Sequence, residues 1–179
     1  MGENENFQPS FGERRGPGFG GGRRSFSRRQ QFFDNFNQIE STEGDDNLIG
    51  TPENNVIFGD AGNDVLTGEA GDDLINGGDG NDLLIGGPGI DRIRGGEGQD
   101  IFVFNSSSDV DWIGNFIVGE DIIQLSPDLG LTAEQAVSQA TTIAIPFMDN
   151  RFLSILNQGD DTLVIKHEGE LTSDSFQIL

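Results

Sequence analysis

The chain has 179 residues and 19.3 kDa, with 10 Lys and Arg against 31 Asp and Glu, a formal charge of −21. Apolar residues make up 34%, Gly supplies 27 positions, and Cys and Tyr are absent. Zero Cys excludes disulfides, thiolate metal sites and cysteine nucleophiles, and the acidic whole argues against duplex nucleic acid as a partner and toward cations. Low hydrophobicity with high charge lies near the composition of chains that stay unfolded unaided. No run approaches the length of a membrane span, and the opening MGENENFQPSFGERRGPGFGGG holds no apolar stretch of secretory-signal length, so neither is expected.

Charge is unevenly spread. Residues 1–38 carry Glu3, Glu5, Glu13 and Asp34 against Arg14, Arg15, Arg23, Arg24, Arg28 and Arg29, a net of +2, which leaves −23 on the remaining 141 residues. Seven of the 14 Phe also fall in this head, and RRGPGFGGGRRSFSRR is Gly/Arg/Phe low complexity that cannot form a packed core. A disordered tail over 1–38 is expected, with Phe33, Phe36 and Ile39 spaced for one or two helical turns near its end. Such a tail suits a tether to anionic cell-surface polysaccharide, lipid headgroups or a neighbouring acidic chain, or a plain solvated spacer. Interleaved Arg and Phe also suit single-stranded nucleic acid, which gives the alternative function.

From residue 41 the chain repeats every nine residues: STEGDDNLI, GTPENNVIF, GDAGNDVLT, GEAGDDLIN, GGDGNDLLI, GGPGIDRIR and GGEGQDIFV. Position eight reads Leu48, Ile57, Leu66, Ile75, Leu84, Ile93 and Phe102, apolar seven times out of seven. Chance would give that roughly once in two thousand at the background apolar fraction. Position six reads Asp46, Asn55, Asp64, Asp73, Asp82, Asp91 and Asp100. The pattern is the nonapeptide of a parallel β-helix: glycines allow a sharp turn, Asp closes it, and a three-residue strand points its middle side chain inward. The expected fold is all-β, a right-handed parallel β-roll (a β-helix solenoid) over 39–110, followed by a β-rich C-terminal cap over 111–179.

Two nonapeptides close a coil of 18 residues, so the carboxylates should stack in two ladders, Asp46–Asp64–Asp82–Asp100 and Asn55–Asp73–Asp91–Asp109. Coils stack about 4.8 Å apart, which lets a hard cation sit between successive turns. Carboxylates with backbone carbonyls near Gly62, Gly71, Gly80, Gly89 and Gly98 form an all-oxygen donor set that favours calcium over zinc or copper. About five Ca2+ ions are expected, with weaker sites where Asn55 and Glu53 depart from the pattern. Carboxylates about 5 Å apart repel by about 3 kcal/mol at an effective dielectric of 20, so metal binding and folding should be one event.

Past the repeats, DIIQL, RFLSIL, TLVIK and FQIL read as strands, NQGD as a hairpin turn, and LTAEQAVSQA as a short helix whose capping box runs from Thr132 to Gln135. His167 and Lys166 are each the sole residue of their type and read as packing or surface residues. Catalytic signatures are missing: no H-E-x-x-H, no G-x-S-x-G, and no phosphate-binding loop before Lys166. Gly16, Gly18 and Gly21 match G-x-G-x-x-G only within the Arg-rich tail, without strand or helix context. A non-enzyme is expected.

The run GDAGNDVLTGEAGDDLINGGDGNDLLIGGPGIDRIRGGEGQDIFVF resembles the RTX (repeats-in-toxin) β-roll of proteins secreted by Gram-negative bacteria. DWIGNFIVGEDIIQL is similar to the segment that follows such rolls, and LTSDSFQIL to an uncleaved type I secretion signal. The resemblance implies a type I secretion exporter as partner, export in an unfolded state, folding outside the cell on calcium, and an extracellular, cell-surface-associated structural or adhesive role.

Overall fold

A computed structural model gives the structure of the protein and describes residues 36–106, 110–144 and 151–179. Successive short strands alternate between two sheets. The eight-stranded sheet holds β1 (Asn37–Ile39), β3 (Asn55–Ala61), β5 (Leu74–Asp79), β7 (Arg92–Glu97) and β9 (Val110–Ile117), then β13 (Asp161–Glu168), β12 (Arg151–Gln158) and β11 (Thr141–Ala144), in that spatial order. The six-stranded sheet runs from β2 (Asn47–Ile49) through β4 (Val65–Thr67), β6 (Leu83–Ile85), β8 (Ile101–Phe104) and β10 (Ile122–Leu125) to β14 (Phe176–Ile178). The result is a parallel β-solenoid, as the nine-residue period requires.

Register follows the repeat. Val56 pairs with Leu74 and Leu74 with Arg92, while Val65 pairs with Leu83 and Leu83 with Ile101, always 18 residues on. Each inward position-eight side chain therefore stacks on its counterpart one coil away. Ile57, Leu66, Ile75, Leu84, Ile93 and Phe102 are buried in one cluster, with Leu48 partly buried at the open end. The stack lengthens after Phe104, where Trp112 pairs with Arg92 and Ile122 with Ile101, offsets of 20 and 21.

The cap continues the same sheets. β13 adds parallel to β9 and β14 parallel to β10, while β12 and β11 turn back antiparallel and extend the larger sheet. All four cap strands read from sequence are present, and so is helix α1 (Ala133–Gln139). Gln135 N–H donates to Thr132 Oγ1 at 3.2 Å and Thr132 N–H to Gln135 Oε1 at 2.8 Å, completing the capping box.

One local expectation is corrected. Residues 37–39 form β1, with Ile39 in register with Ile57, rather than helical turns. Ile39 gains apolar contact by pairing on the first coil, and a lone helical turn has no comparable partner. The rest of that segment, and the Arg/Phe tail before it, lie outside the described residues.

Candidate metal centre

Each turn of the roll delivers a carboxylate to the same place. Asp64, Asp73, Asp82, Asp91 and Asp100 are all at most 2% exposed. Their Oδ1 atoms accept the backbone N–H of the residue one coil earlier: Asp46 to Asp64 at 2.8 Å, Asn55 to Asp73 at 2.7 Å, Asp64 to Asp82 at 2.9 Å, Asp73 to Asp91 at 2.8 Å and Asp82 to Asp100 at 3.0 Å. The second oxygens, Oδ2 of Asp64, Asp73, Asp82 and Asp100, are buried without a hydrogen-bond partner. A row of buried, half-satisfied carboxylates is costly unless a cation completes it.

The glycines divide their work by position. At position one the backbone is not strained; a Cβ on Gly77 would stand 2.0 Å from Asp82 Oδ2, so glycine makes room for the carboxylate. At position four the backbone is left-handed: Gly80 has φ +135°, and a Cβ there would stand 1.8 Å from the Gly62 carbonyl oxygen of the coil before. The same close approach sets Gly89 on Gly71 O and Gly98 on Gly80 O. Position two tolerates other residues, since Asp60 and Glu69 hold φ of 64° and 74° there.

The repeat that carries Asn55 shows what the other turns are arranged to hold. Asn55 Oδ1 accepts from Thr51 N–H at 3.3 Å and Thr51 Oγ1 at 3.1 Å. Its amide nitrogen donates to Thr51 O at 3.0 Å, to Glu53 O, and to Asp73 Oδ1 of the next coil at 3.2 Å. A positively polarised group thus sits among the carbonyls of positions two and four and a neighbouring carboxylate. Where Asp stands at this position, Oδ2 replaces the amide and, in Asp64, Asp73, Asp82 and Asp100, finds no hydrogen-bond donor; hard oxygens of this kind suit Ca2+. No three acidic or imidazole side chains converge on one point among the described residues, so such a site takes its remaining oxygens from the backbone.

Burial also shapes the titration of the ladder. Desolvation raises the pKa of Asp73, Asp82 and Asp121 and pushes Asp100 up to about 6, against opposing backbone N–H bonds. Negative neighbours add to the rise, Asp64 beside Asp82 and both Asp121 and Asp82 beside Asp100.

The ladders end differently from the 18-residue count. Asp109 lies outside the described residues, and its expected rung is taken by Asp111, whose Oδ1 accepts Asp91 N–H at 3.2 Å. The extra residues between Phe104 and Val110 move the carboxylate two positions along. Asp121 closes the other ladder, accepting Asp100 N–H at 3.1 Å through Oδ1 and Ile117 N–H at 2.7 Å through Oδ2. At the open end, Asp46 is half-exposed, and its Oδ2 is held by Thr42 N–H and Oγ1 at 2.7 and 3.0 Å.

A further pair of ladders was not expected from the sequence. At position five, Asp45, Asn54, Asn63, Asp72 and Asn81 each accept, through Oδ1, the backbone N–H of the residue 18 later, at 2.7–3.0 Å. The signal was there, since five of the seven residues at position five are Asp or Asn, a side chain short enough to cap a neighbouring turn.

Fold and donor set together define a calcium-binding β-roll. Residues 40–75 and 76–111 match the family model of the RTX calcium-binding nonapeptide repeat, a unit of four copies. This stretch of the chain belongs to that repeat family, whose repeats bind calcium. No curated protein matches the chain. Among solved structures, it is similar to the extracellular lipase LipA from Serratia marcescens at 18% identity and a TM-score of 0.39, over 79% of this chain and 21% of the lipase. It is also similar to the AlgE6R3 subunit of the Azotobacter vinelandii mannuronan C5-epimerase, at 24% identity and a TM-score of 0.33, over 75% of this chain and 78% of that one. The AlgE6R2 subunit of the same enzyme gives 24% identity and a TM-score of 0.34, over 80% and 92%. The chain spans about a fifth of the lipase's length.

Proposed function

We propose that the protein is a non-catalytic, calcium-folded roll that is exported and serves a structural or adhesive role outside the cell. The observation that carries the calcium part is the row of buried Oδ2 atoms of Asp64, Asp73, Asp82 and Asp100 without a hydrogen-bond partner, at the position where Asn55 instead brings its own amide donor. Asp64, Asp73, Asp82, Asp91 and Asp100 are the ligands, Asp111 takes the rung expected of Asp109, and Asp46 contributes weakly. Carbonyls near Gly62, Gly71, Gly80, Gly89 and Gly98 complete the sites.

Affinity in the range of extracellular calcium modules, a dissociation constant of about 1 mM, would make five sites contribute about 7 kcal/mol at about 10 mM calcium. At submicromolar calcium the contribution vanishes, which suits passage through an exporter as an open chain and folding afterwards. The bound ion supplies charge neutralisation and fixed coordination between turns; the carboxylates and carbonyls position it.

Calcium titration of the full chain, followed by circular dichroism and calorimetry, tests the reading. The expected result is a cooperative gain of β signal with uptake of about five ions. A chain equally folded at neutral pH in chelator, with no calcium uptake, overturns it.

A further inference from the structure

Arg92, Arg94, Arg151 and Lys166 are the only cationic side chains after residue 38, and all lie on strands of the eight-stranded sheet. They share its outer face. Ile93, between Arg92 and Arg94, is in the core, and Lys166 is flanked by buried Ile165 and His167. Register sets Arg151 beside Glu168 and Trp112 beside Arg92. Arg94 leans over Gly114, where a Cβ would meet its Cγ at 3.1 Å and its Nε at 3.2 Å. Among the described residues the ion pair is Arg151 with Glu168 at 2.7 Å, which leaves Arg92, Arg94 and Lys166 without a carboxylate partner there. On residues 39–179, whose charge is −23, this face gathers the four cations, with Glu168 against one of them.

The patch borders a cavity of about 550 Å³ whose lining includes Gly114, Asn115, Arg151, Lys166, His167 and Glu168, the last neutralised by its ion pair with Arg151. A β-bulge shapes it. Ile113 pairs with Ile165 and Phe116 with His167, so Gly114 and Asn115 both face Lys166, and bulges re-aim side chains in this way. Asn115 Nδ2 donates to Gly96 O at 3.2 Å, but its Oδ1 is buried with no donor. His167, 2% exposed, holds Ser154 Oγ through Nε2 at 2.8 Å.

We propose that this cavity and the cations around it bind a sugar acid, whose carboxylate meets Arg94 and Lys166 and whose hydroxyl donates to Asn115 Oδ1. The volume lies within the range of small-molecule sites. A phosphodiester offers anionic oxygens but no donor for Asn115, a neutral sugar offers donors but no charge, and a second copy of the chain is repelled by its own −21. The ligand is a free sugar acid or one unit of an anionic polysaccharide. The site presupposes the calcium-folded roll and deepens the adhesive reading by naming what is held.

Trp112 is the only tryptophan of the chain and stands two residues from Gly114 on the same face, so its emission reports the site. Calcium-induced folding of the full chain is measured first by circular dichroism, so failure to fold and failure to bind register in separate signals. D-galacturonate and trigalacturonate should then give saturable emission changes, and D-galactose none. Tighter binding of the trimer assigns the polymer, and equal binding per carboxylate assigns the free acid. R94Q and K166Q should each weaken binding by about tenfold, the loss expected for one charge-assisted hydrogen bond, with the calcium midpoint unchanged. Galactose binding as well as galacturonate, silent emission from folded protein, unchanged affinity in the double variant, or tighter binding of oligothymidylate overturns the proposal.

Discussion

Asn55 and Asp64 hold the same position in neighbouring repeats and differ in whether the side chain brings its own donor. The Asn55 amide satisfies Thr51 O, Glu53 O and Asp73 Oδ1 from within, so that turn closes without metal. Replacing it with Asp removes both amide donors and leaves a carboxylate facing Asp73. Asn55→Asp should therefore destabilise the calcium-free chain by about 1–3 kcal/mol and raise the calcium count by one, read by calorimetry; an unchanged count refutes the surrogate role. Asp82 makes the complementary case. It lies mid-ladder, Oδ1 on Asp64 N–H and Oδ2 without a donor, so it should serve two ions. Asp82→Ala should cost about two sites and roughly 3 kcal/mol at about 10 mM calcium. Asp46→Ala should cost one weak site at most, because Thr42 already holds its carboxylate. If both variants bind equal numbers of ions, the ladder is wrong. The Asp positions were legible from spacing alone. The Asn55 substitution was legible as a weakness, but what its amide does was not, since that depends on carbonyl directions no period encodes.

Strand order and the core followed from the nine-residue period, because position eight alternates inward whatever else the repeat contains. Two element-level features did not follow. The period breaks after Phe104, and counting onward assigns a rung to Asp109 that Asp111 fills once the coil lengthens. The cap strands were legible by composition, yet nothing in their spacing marks β13 and β14 as parallel additions to the roll, since those pairings reach back about 50 residues. Asp111→Ala should accordingly lower the calcium count while Asp109→Ala leaves it unchanged; the opposite ranking restores the uninterrupted count. The ladder as a unit also fixes a pH dependence. Asp100 titrates near 6 in the folded, metal-free state and Asp73, Asp82 and Asp121 are likewise raised. Groups raised above the unfolded value of about 3.9 favour the fold while protonated, so their support is complete below about pH 4 and is lost as pH rises through about 6. Without calcium, the roll should melt at a higher temperature at pH 4.5 than at pH 7. Calcium uptake near pH 5.5 should release protons, seen as a buffer-dependent heat. A calcium-free melting point that rises with pH contradicts the burial of these carboxylates.

At the scale of the whole molecule, the final residues have a structural role as a strand and, in the proposed reading, a role in export, and the two can be separated. β14 pairs with β10 and buries Phe176, while Leu171 packs into the same core, so the C-terminus closes one edge of the six-stranded sheet. The same residues, LTSDSFQIL, are those that resemble a secretion signal. If the chain is exported as proposed, the exporter meets it unfolded: at low calcium the ladder carboxylates repel rather than bind, so these residues are available before β14 can dock. On that reading calcium then folds the roll outside the cell, and the same residues become an edge strand. Removing residues 170–179 should therefore retain the protein inside cells, as measured by its partition between cell pellet and medium. The truncated chain should still take up calcium through Asp64 and Asp82, because β4 and β6 lie beyond both β10 and β8 from β14, though the bared edge of β10 lowers its melting temperature. Phe176→Ala separates the two roles: it should weaken the cap by about 3–5 kcal/mol while leaving release into the medium intact. Normal release of the truncation, or retention of the Phe176→Ala variant as complete as that of the truncation, shows that the C-terminus acts only as a strand.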